Sequence, residues 1–330
     1  MVDDISRPTP VADILPLVME ELVAGGLEPG RVTVVVATAC HRCHAAEDNL
    51  KKIGPLSEQL CVVNHDPIGN LVYLGATTRG TPLYINKYVA EADLKVGIGC
   101  IVPHSMAGYG GGAKIILPGV AGLETVKANH SLYGERGDPA GSSLRYDIHE
   151  AAAKIGLDFI INVVFTGDIR VGGIFSGHYI EAFEEGVRFA RQVYHTTLPD
   201  RANVVIANAY PLDLDLFQAC KALWMADHYP EADSLVLVAG CPEGVGAHRL
   251  FQRGGPLWSE PEESFMFNHM LNRHAVIFTP APIGEEVYDL VPRHVKLLSR
   301  WESMLEELLP RQTGNAEVLY FPYAPLQIPG

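Results

Sequence analysis

The apolar positions of this chain change period along its length. Val11, Ile14, Leu15, Val18 and Leu22 recur at helical spacing and stop before Gly25-Gly26, which predicts a helix from Val11 to Ala24. Val32–Ala37 is an almost continuous β-branched run, the pattern of a strand buried on both faces. A polar helix is expected around Ala45–Lys52, then strands at Leu60–Val63, Leu71–Leu74 and Pro82–Ile85, a short helix, and a strand at Lys95–Gly99. Helices at Val120–His130 and Leu144–Lys154 follow, with strands at Phe159–Phe165 and Ile169–Ile174 and a long amphipathic helix over Ile180–Tyr194. The pattern then restarts. Strands at Ala202–Ala207, Ser234–Ala239, Ala275–Thr279 and Ala316–Phe321 alternate with helices at Asp213–Ala226, near Glu262–Asn272, and at Val291–Leu309. Such alternation predicts an α/β protein with largely parallel sheets. It divides into two α/β domains, 1–199 and 200–330, near Leu198-Pro199-Asp200.

Composition narrows the functional classes. Lys and Arg total 25 against 39 Asp and Glu, a net charge of −14, which argues against nucleic acid or an anionic membrane as the partner. The most apolar runs are strand-length, far short of the ~20 residues of a membrane helix. The opening MVDDISRPTP is acidic and polar, unlike a signal peptide. Six cysteines in 330 residues are too few for a disulfide scaffold, and a reduced cytoplasmic setting is expected.

Candidate chemistry collects just past the predicted strands, where α/β sheets bind ligands. His41-Arg42 follows the strand Val32–Ala37, His65-Asp66 follows the strand ending at Val63, and His104 follows Lys95–Gly99. The stretch from His104, HSMAGYGGGAKIILPG, carries five glycines and, ten residues beyond His104, Lys114. The stretch is no nucleoside-triphosphate loop: Ala113 stands at the second glycine position and Ile115 at the metal-binding hydroxyl. Its lysine is flanked by Ala113, Ile115 and Ile116, and a poorly hydrated amine is nucleophilic. His130 closes a predicted helix, where it serves either as a ligand or as a cationic helix end. Gln218 and Lys221 share a helix face and could reach an anion between the domains. Asp4 and Arg7 bracket a turn closed by Pro8 and Pro10, and an Arg so held can clamp a carboxylate or phosphate.

Taken together these segments resemble lactate racemase and its relatives, the nickel-pincer-nucleotide racemases and epimerases of 2-hydroxy acids. The resemblance rests on DDISRPTP, on HR at 41–42 and NHDP at 64–67, and on LGATTRGTPLYINK at 74–87. It continues through PHSMAGYGGGAKIILPGVAGLETVKANHS at 103–131, DFIINVVF at 158–165 and YPLDLDLFQACKAL at 210–223. It implies that Lys114 tethers pyridinium-3-thioamide-5-thiocarboxylic acid mononucleotide covalently, and that His130 is the protein ligand to nickel. His41 and His104 would be the paired acid/base residues. Asp4, Arg7, Gly111 and Gly112 would bind the cofactor, and Arg7, Gln218 and Lys221 the substrate. The active site would lie in the cleft between the domains. Proteins that synthesise the nucleotide are implied as partners. Two histidines suit the chemistry, because inverting C2 requires a proton to leave on one face and return on the other. On this reading the glycines let the backbone approach the nucleotide.

The chain departs from the family pattern in places. Members carry some tens of residues before RPTP. They usually have Ser where Gly110 stands, Gly-Gly at Asn208-Ala209 and Tyr at Phe217. These changes are expected to leave the cofactor chemistry intact and to alter the substrate pocket. Other readings use other parts of the pattern. A nicotinamide dehydrogenase needs a GxGxxG turn after a strand, and there is none. A zinc-dependent hydrolase would draw on Cys40-His41-Arg42-Cys43-His44, although Cys61, Cys100, Cys220 and Cys241 are single. A non-catalytic cofactor-binding relative would not need both His41 and His104.

Overall fold

A computed structural model describes residues 1–133, 142–311 and 315–329. The chain forms two compact units, Met1–Ala190 and Arg191–Gly330. Both are α/β with largely parallel sheets.

The first unit is built on β1 (Val2–Asp3), α1 (Val11–Ala24), β2 (Thr33–Ala37), α2 (Ala46–Ile53) and β3 (Cys61–Asn64). An antiparallel hairpin, β4 (Leu71–Ala76) and β5 (Pro82–Asn86), leads to α3 (Lys87–Glu91) and β6 (Val96–Cys100). A miniature hairpin follows, β7 (Pro103–His104) and β8 (Gly108–Tyr109), then α4 (Leu123–His130), α5 (Ser142–Ile155), β9 (Phe159–Phe165), β10 (Val171–Gly177) and α6 (Glu181–Val193). The sheet order is β10-β9-β6-β1-β2-β3, parallel throughout except β10. Starting from β1, the chain runs outward through β2 and β3 and then crosses back to β6 on the other side. The direction of winding therefore reverses between β1 and β6, and the crevice beyond their carboxyl ends is where such a sheet takes a ligand. Val34, Val35, Val36, Ile98, Val163 and Val164 are buried in this sheet, as the β-branched runs require.

The second unit holds β11 (His195–Thr196), β12 (Val204–Asn208), α7 (Leu216–Ala219), β13 (Ser234–Val238), β14 (His274–Phe278), β15 (Lys296–Leu298), α8 (Trp301–Leu308), β16 (Val318–Phe321) and β17 (Ile328–Pro329). Its main sheet is parallel, in the order β15-β14-β13-β12-β16. No helix among the described residues is long and apolar enough to cross a membrane.

Three expectations are corrected here. The helix near Glu262–Asn272 is a single 3₁₀ turn, Asn268–Met270; Phe267 and Met270 pack into the core from an irregular segment, so their spacing was not helical periodicity. The helix over Val291–Leu309 is confined to α8, because Lys296–Leu298 pairs with β14 instead. The helix over Asp213–Ala226 is α-helical only at Leu216–Ala219 and continues as a 3₁₀ helix, Cys220–His228. Several short strands were not expected, among them Val2–Asp3, which lies inside the first sheet between β2 and β6.

Candidate active site

Three adjacent strands deliver the site. Asp4 and Arg7 follow β1, His41 follows β2, and His104 ends β7 just beyond β6.

Beside β1, His41 Nδ1 lies 2.6 Å from Asp4 Oδ2. A carboxylate only accepts, so Nδ1 carries the proton and Nε2 is the basic nitrogen. Asp4 is buried. Burial alone would raise its carboxyl. The charge and hydrogen bond of His41, with Arg7 and the Ser6 hydroxyl, instead hold it far below the usual carboxylate range. The Ser6 amide donates to Asp4 Oδ1 at 3.1 Å, and the Ser6 hydroxyl donates to the same oxygen. Arg7 Nη1 donates to the Ser6 hydroxyl at 2.9 Å. Two buried side chains grip this turn from outside. His44 Nε2 accepts the Ile5 amide at 3.0 Å, and Lys52 Nζ donates to the Arg7 carbonyl at 2.9 Å while pairing with Asp3 at 2.7 Å.

His104 is held in the reverse sense. Its Nδ1 faces two backbone donors, the amides of Met106 at 3.2 Å and Ala107 at 3.3 Å. Nδ1 therefore carries the lone pair and Nε2 the proton. Nε2 faces Lys114 Nζ at 3.2 Å. Lys114 rides on a 3₁₀ turn, Gly112–Ile115, so the glycine-lysine loop folds the amine back against His104.

The glycines before the lysine are explained by the protein itself. Gly111 and Gly112 have φ of 80° and 60°. A Cβ on Gly111 would stand 2.7 Å from the Cys100 carbonyl, and one on Gly112 would stand 2.8 Å from the Phe183 ring. The Gly112 amide donates to Asn162 Oδ1 at 2.7 Å. These two residues serve close packing of the loop on the sheet.

His130 is the last residue of α4. Its Nδ1 donates to the Val126 carbonyl one turn back at 2.9 Å, leaving Nε2 as an electron-pair donor. Burial first, and then the charge of Lys114, push its pKa down to about 3 against the Val126 bond. A neutral imidazole is the form that binds a metal. No group of three or more His, Cys, Asp or Glu that could hold a metal ion occurs among the described residues.

These observations can be set beside known proteins. Residues 1–140 match the family described as the lactate racemase N-terminal domain. Lactate racemase of Lactiplantibacillus plantarum is 29% identical over 355 residues, covering 97% of this chain and 81% of that protein. Lactate racemase of Thermoanaerobacterium thermosaccharolyticum is 30% identical over 260 residues, covering 76% of this chain and 61% of that protein. Residues 1–140 thus form a lactate racemase N-terminal domain, and the chain is similar to lactate racemases over most of its length. These relatives are isomerases that act on hydroxy acids, and this chain is an enzyme of that class. The structure of the T. thermosaccharolyticum lactate racemase apoprotein superposes with a TM-score of 0.80 at 25% identity, covering all of this chain and 85% of that one. A Thermotoga maritima protein at 15% identity shares the fold, with a TM-score of 0.71 and 92% of its chain covered.

Within the second unit, the family's Q-x-x-K pair is physically joined: Lys221 Nζ donates to Gln218 Oε1. Asp215 caps the start of α7 by accepting the Gln218 amide at 2.8 Å. The 3₁₀ continuation brings residues i and i+3 into line. Phe217, at the position the family usually gives to Tyr, is buried with its ring 5.5 Å from that of His248.

Several lactate-racemase motif residues prove structural. His65 is fully buried; Nε2 lies 2.9 Å from the Ala121 carbonyl and Nδ1 lies 3.4 Å from Asn86 Nδ2. Arg42 pairs with Asp48 at 2.5 Å at the start of α2. In the ligand-rich Cys40–His44 run, Cys40 is buried, Cys43 is exposed and both His44 nitrogens are engaged, by Ile5 and by Asn49 at 3.1 Å. The run does not converge on one point as a zinc site would. Sequence reasoning missed Asp147, fully buried in α5. Its carboxylate accepts Thr77 at 2.5 Å, Thr81 at 2.9 Å and Asn129 at 2.8 Å, so it ties the LGATTRGT turn to the helix end that presents His130. Nothing in its local sequence marks it.

Proposed function

We propose that this protein racemises or epimerises a 2-hydroxy acid, with His41 and His104 as its acid/base pair. The observation that carries this reading is the opposed state of the two imidazoles, set beyond the two strands that flank β1. His41 offers a lone pair at Nε2, and His104 offers an N–H at Nε2. The lone pair of His41 can take a hydroxyl proton, and the His104 Nε2–H can hydrogen-bond to the oxygen of the planar keto acid. His104 delivers a proton only from its doubly protonated form and accepts one only after losing that form's Nε2 proton. Asp4 stabilises the positive charge that His41 gains on accepting a proton.

Lys114 and His130 fit a nickel-pincer nucleotide. His130 supplies one neutral nitrogen, and no group of three or more ligating side chains occurs among the described residues, as suits a metal whose other donors belong to the nucleotide. Lys114 Nζ faces His104 Nε2 at 3.2 Å, and its neutral form is the one that would make a covalent bond to the nucleotide. When bound, the nucleotide supplies the acceptor for the C2 hydride. The cations Arg7 and Lys221, with Gln218, orient the substrate carboxylate on this reading, and Asp4 and Arg7 border the nucleotide.

The test uses protein co-expressed with the enzymes that make the nucleotide. Intact mass and bound nickel are measured for wild type and Lys114→Ala, and enantiopure 2-hydroxy acids deuterated at C2 are then supplied. A nucleotide-sized mass increment with nickel, both lost in the variant, and racemisation that keeps deuterium at C2 are expected. Deuterium washing out to solvent would replace hydride transfer with proton abstraction. A folded protein carrying neither increment nor activity would remove the reading.

A further inference from the structure

His104 owes its tautomer to two backbone amides, and an amide in a short surface hairpin stays in place only if the hairpin is held. The hairpin β7–β8 has just two residues on each strand, too little pairing to be rigid alone. Its anchor comes from α5. Arg145 Nε and Nη2 donate to the Ala107 carbonyl at 3.3 and 3.0 Å, and Nη2 also donates to the Tyr109 carbonyl. The guanidinium lies over the Phe183 ring, 4.7 Å from its centroid. Phe183 also packs under Gly112, two residues before Lys114. A planar fork with fixed donors fits two neighbouring carbonyls better than a single ammonium can. Burial lowers the pKa of Arg145 to about 10, so it remains charged at neutral pH. His149, one turn along the helix, has its ring 6.2 Å from Phe183; burial and then the charge of Arg145 push it down to about 4. It is neutral and brings no competing charge.

We propose that Arg145 is a positioning residue for His104. By holding the carbonyls of Ala107 and Tyr109 it keeps the amides of Met106 and Ala107 on His104 Nδ1, and so fixes the imidazole as its Nε2–H form. The functional part of this inference rests on His104 being one of the acid/base pair. The tautomer itself does not.

The experiment is nitrogen-detected NMR of the histidine side chains in the full-length apoprotein at pH 8. Wild-type His104 should be a single Nε2–H species, and the Arg145 Nε–H should be protected from solvent exchange. An Nδ1–H species, or an Arg145 Nε–H in rapid exchange, overturns the proposal without any variant. Arg145→Gln should then show His104 as a mixture of tautomers while the His41 and His44 signals stay put; Arg145→Lys should lie between. A folded Arg145→Gln protein whose His104 remains purely Nε2–H overturns it. In the nucleotide-loaded enzyme, kcat should fall roughly 10- to 100-fold with KM moving less than about twofold. A merely structural role would move all the histidine signals together. If the NMR result holds but no 2-hydroxy acid is racemised, the function assigned above fails and the positioning role stands.

Discussion

The corner that holds His41 and the hairpin that holds His104 solve one problem by opposite means. At the corner, a buried carboxylate grips Nδ1 through its proton. At the hairpin, two amides grip Nδ1 through its lone pair. The first arrangement is an ion pair in waiting, its charge reinforced by Arg7 and Ser6. The second rests on backbone donors, in a hairpin whose Ala107 carbonyl Arg145 holds. Side chains can therefore set a tautomer directly, and a well-braced loop can do it without them.

The most severe way to break the contrast is Asp4→Asn. Ser6 donates twice to Asp4 Oδ1, so the Asn oxygen should stay there and its amide nitrogen should replace Oδ2. That nitrogen would donate to His41 Nδ1 and leave both histidines as Nε2–H. The loss in kcat should be roughly 10²–10⁴-fold, with nickel and the nucleotide adduct retained. An Asp4→Asn enzyme within about threefold of wild type would show that the tautomer of His41 is immaterial.

A smaller effect separates folding from cofactor binding in the loop beyond the hairpin. Gly111→Ala and Gly112→Ala each combine positive φ with a Cβ at 2.7–2.8 Å from protein atoms. Each should cost about 2–4 kcal/mol in the apoprotein by denaturant titration. Unchanged stability with loss of the adduct would reassign these glycines to the nucleotide.

Much of this was legible in the sequence, and the rest was hidden for identifiable reasons. Continuous β-branched runs such as Thr33–Ala37 and Phe159–Phe165 announced buried parallel strands, because nothing else accommodates them. The strand Val2–Asp3 was not legible: two residues carry no period, and it exists only because β2 and β6 flank it. Histidines at strand ends were visible as a set, but the sequence could not separate His41 from His65. The difference lies in whether the ring meets a carboxylate at the sheet edge or is enclosed by Ala121 and Asn86. Arg145 and Asp147 were invisible because their partners lie 18–70 residues away in the chain.

Acid should act through histidines that burial holds neutral, His44 at the corner and His130 and His149 elsewhere in the first unit. His130 and His149 are held neutral, at about 3 and about 4. In the unfolded chain both titrate near the ordinary value of 6.5. Below 6.5 the unfolded state binds more protons, so stability is fully present above that pH and falls as the pH drops toward the folded values. Between pH 8 and pH 5 each should remove on the order of 1–2 kcal/mol. Asp4 has a depressed pKa, so its contribution persists until the pH falls below the ordinary carboxylate value of 3.8. Urea titrations at pH 8, 6.5 and 5 should therefore show a decline that His149→Gln reduces and Asp4→Asn leaves in place. A flat profile would mean that the hairpin side does not hold its histidines neutral.

The finest distinction concerns His44, which serves the His41 corner without touching His41. Its Nε2 accepts the Ile5 amide in the middle of the Asp4–Arg7 turn, and its Nδ1 donates to Asn49 Oδ1 on α2. Burial lowers its pKa, as expected of an imidazole used as an acceptor. His44→Leu leaves the Ile5 amide without an acceptor and should cost about 1–3 kcal/mol. His44→Gln can keep an oxygen near Nε2 and should recover most of that loss. If the turn matters to catalysis only through Asp4, both variants should leave the His41 tautomer unchanged by NMR. A shift of the His41 signals in His44→Leu, reversed in His44→Gln, would make this corner as dependent on its bracing as the hairpin is on Arg145. The contrast between direct and indirect control would then narrow to one of distance.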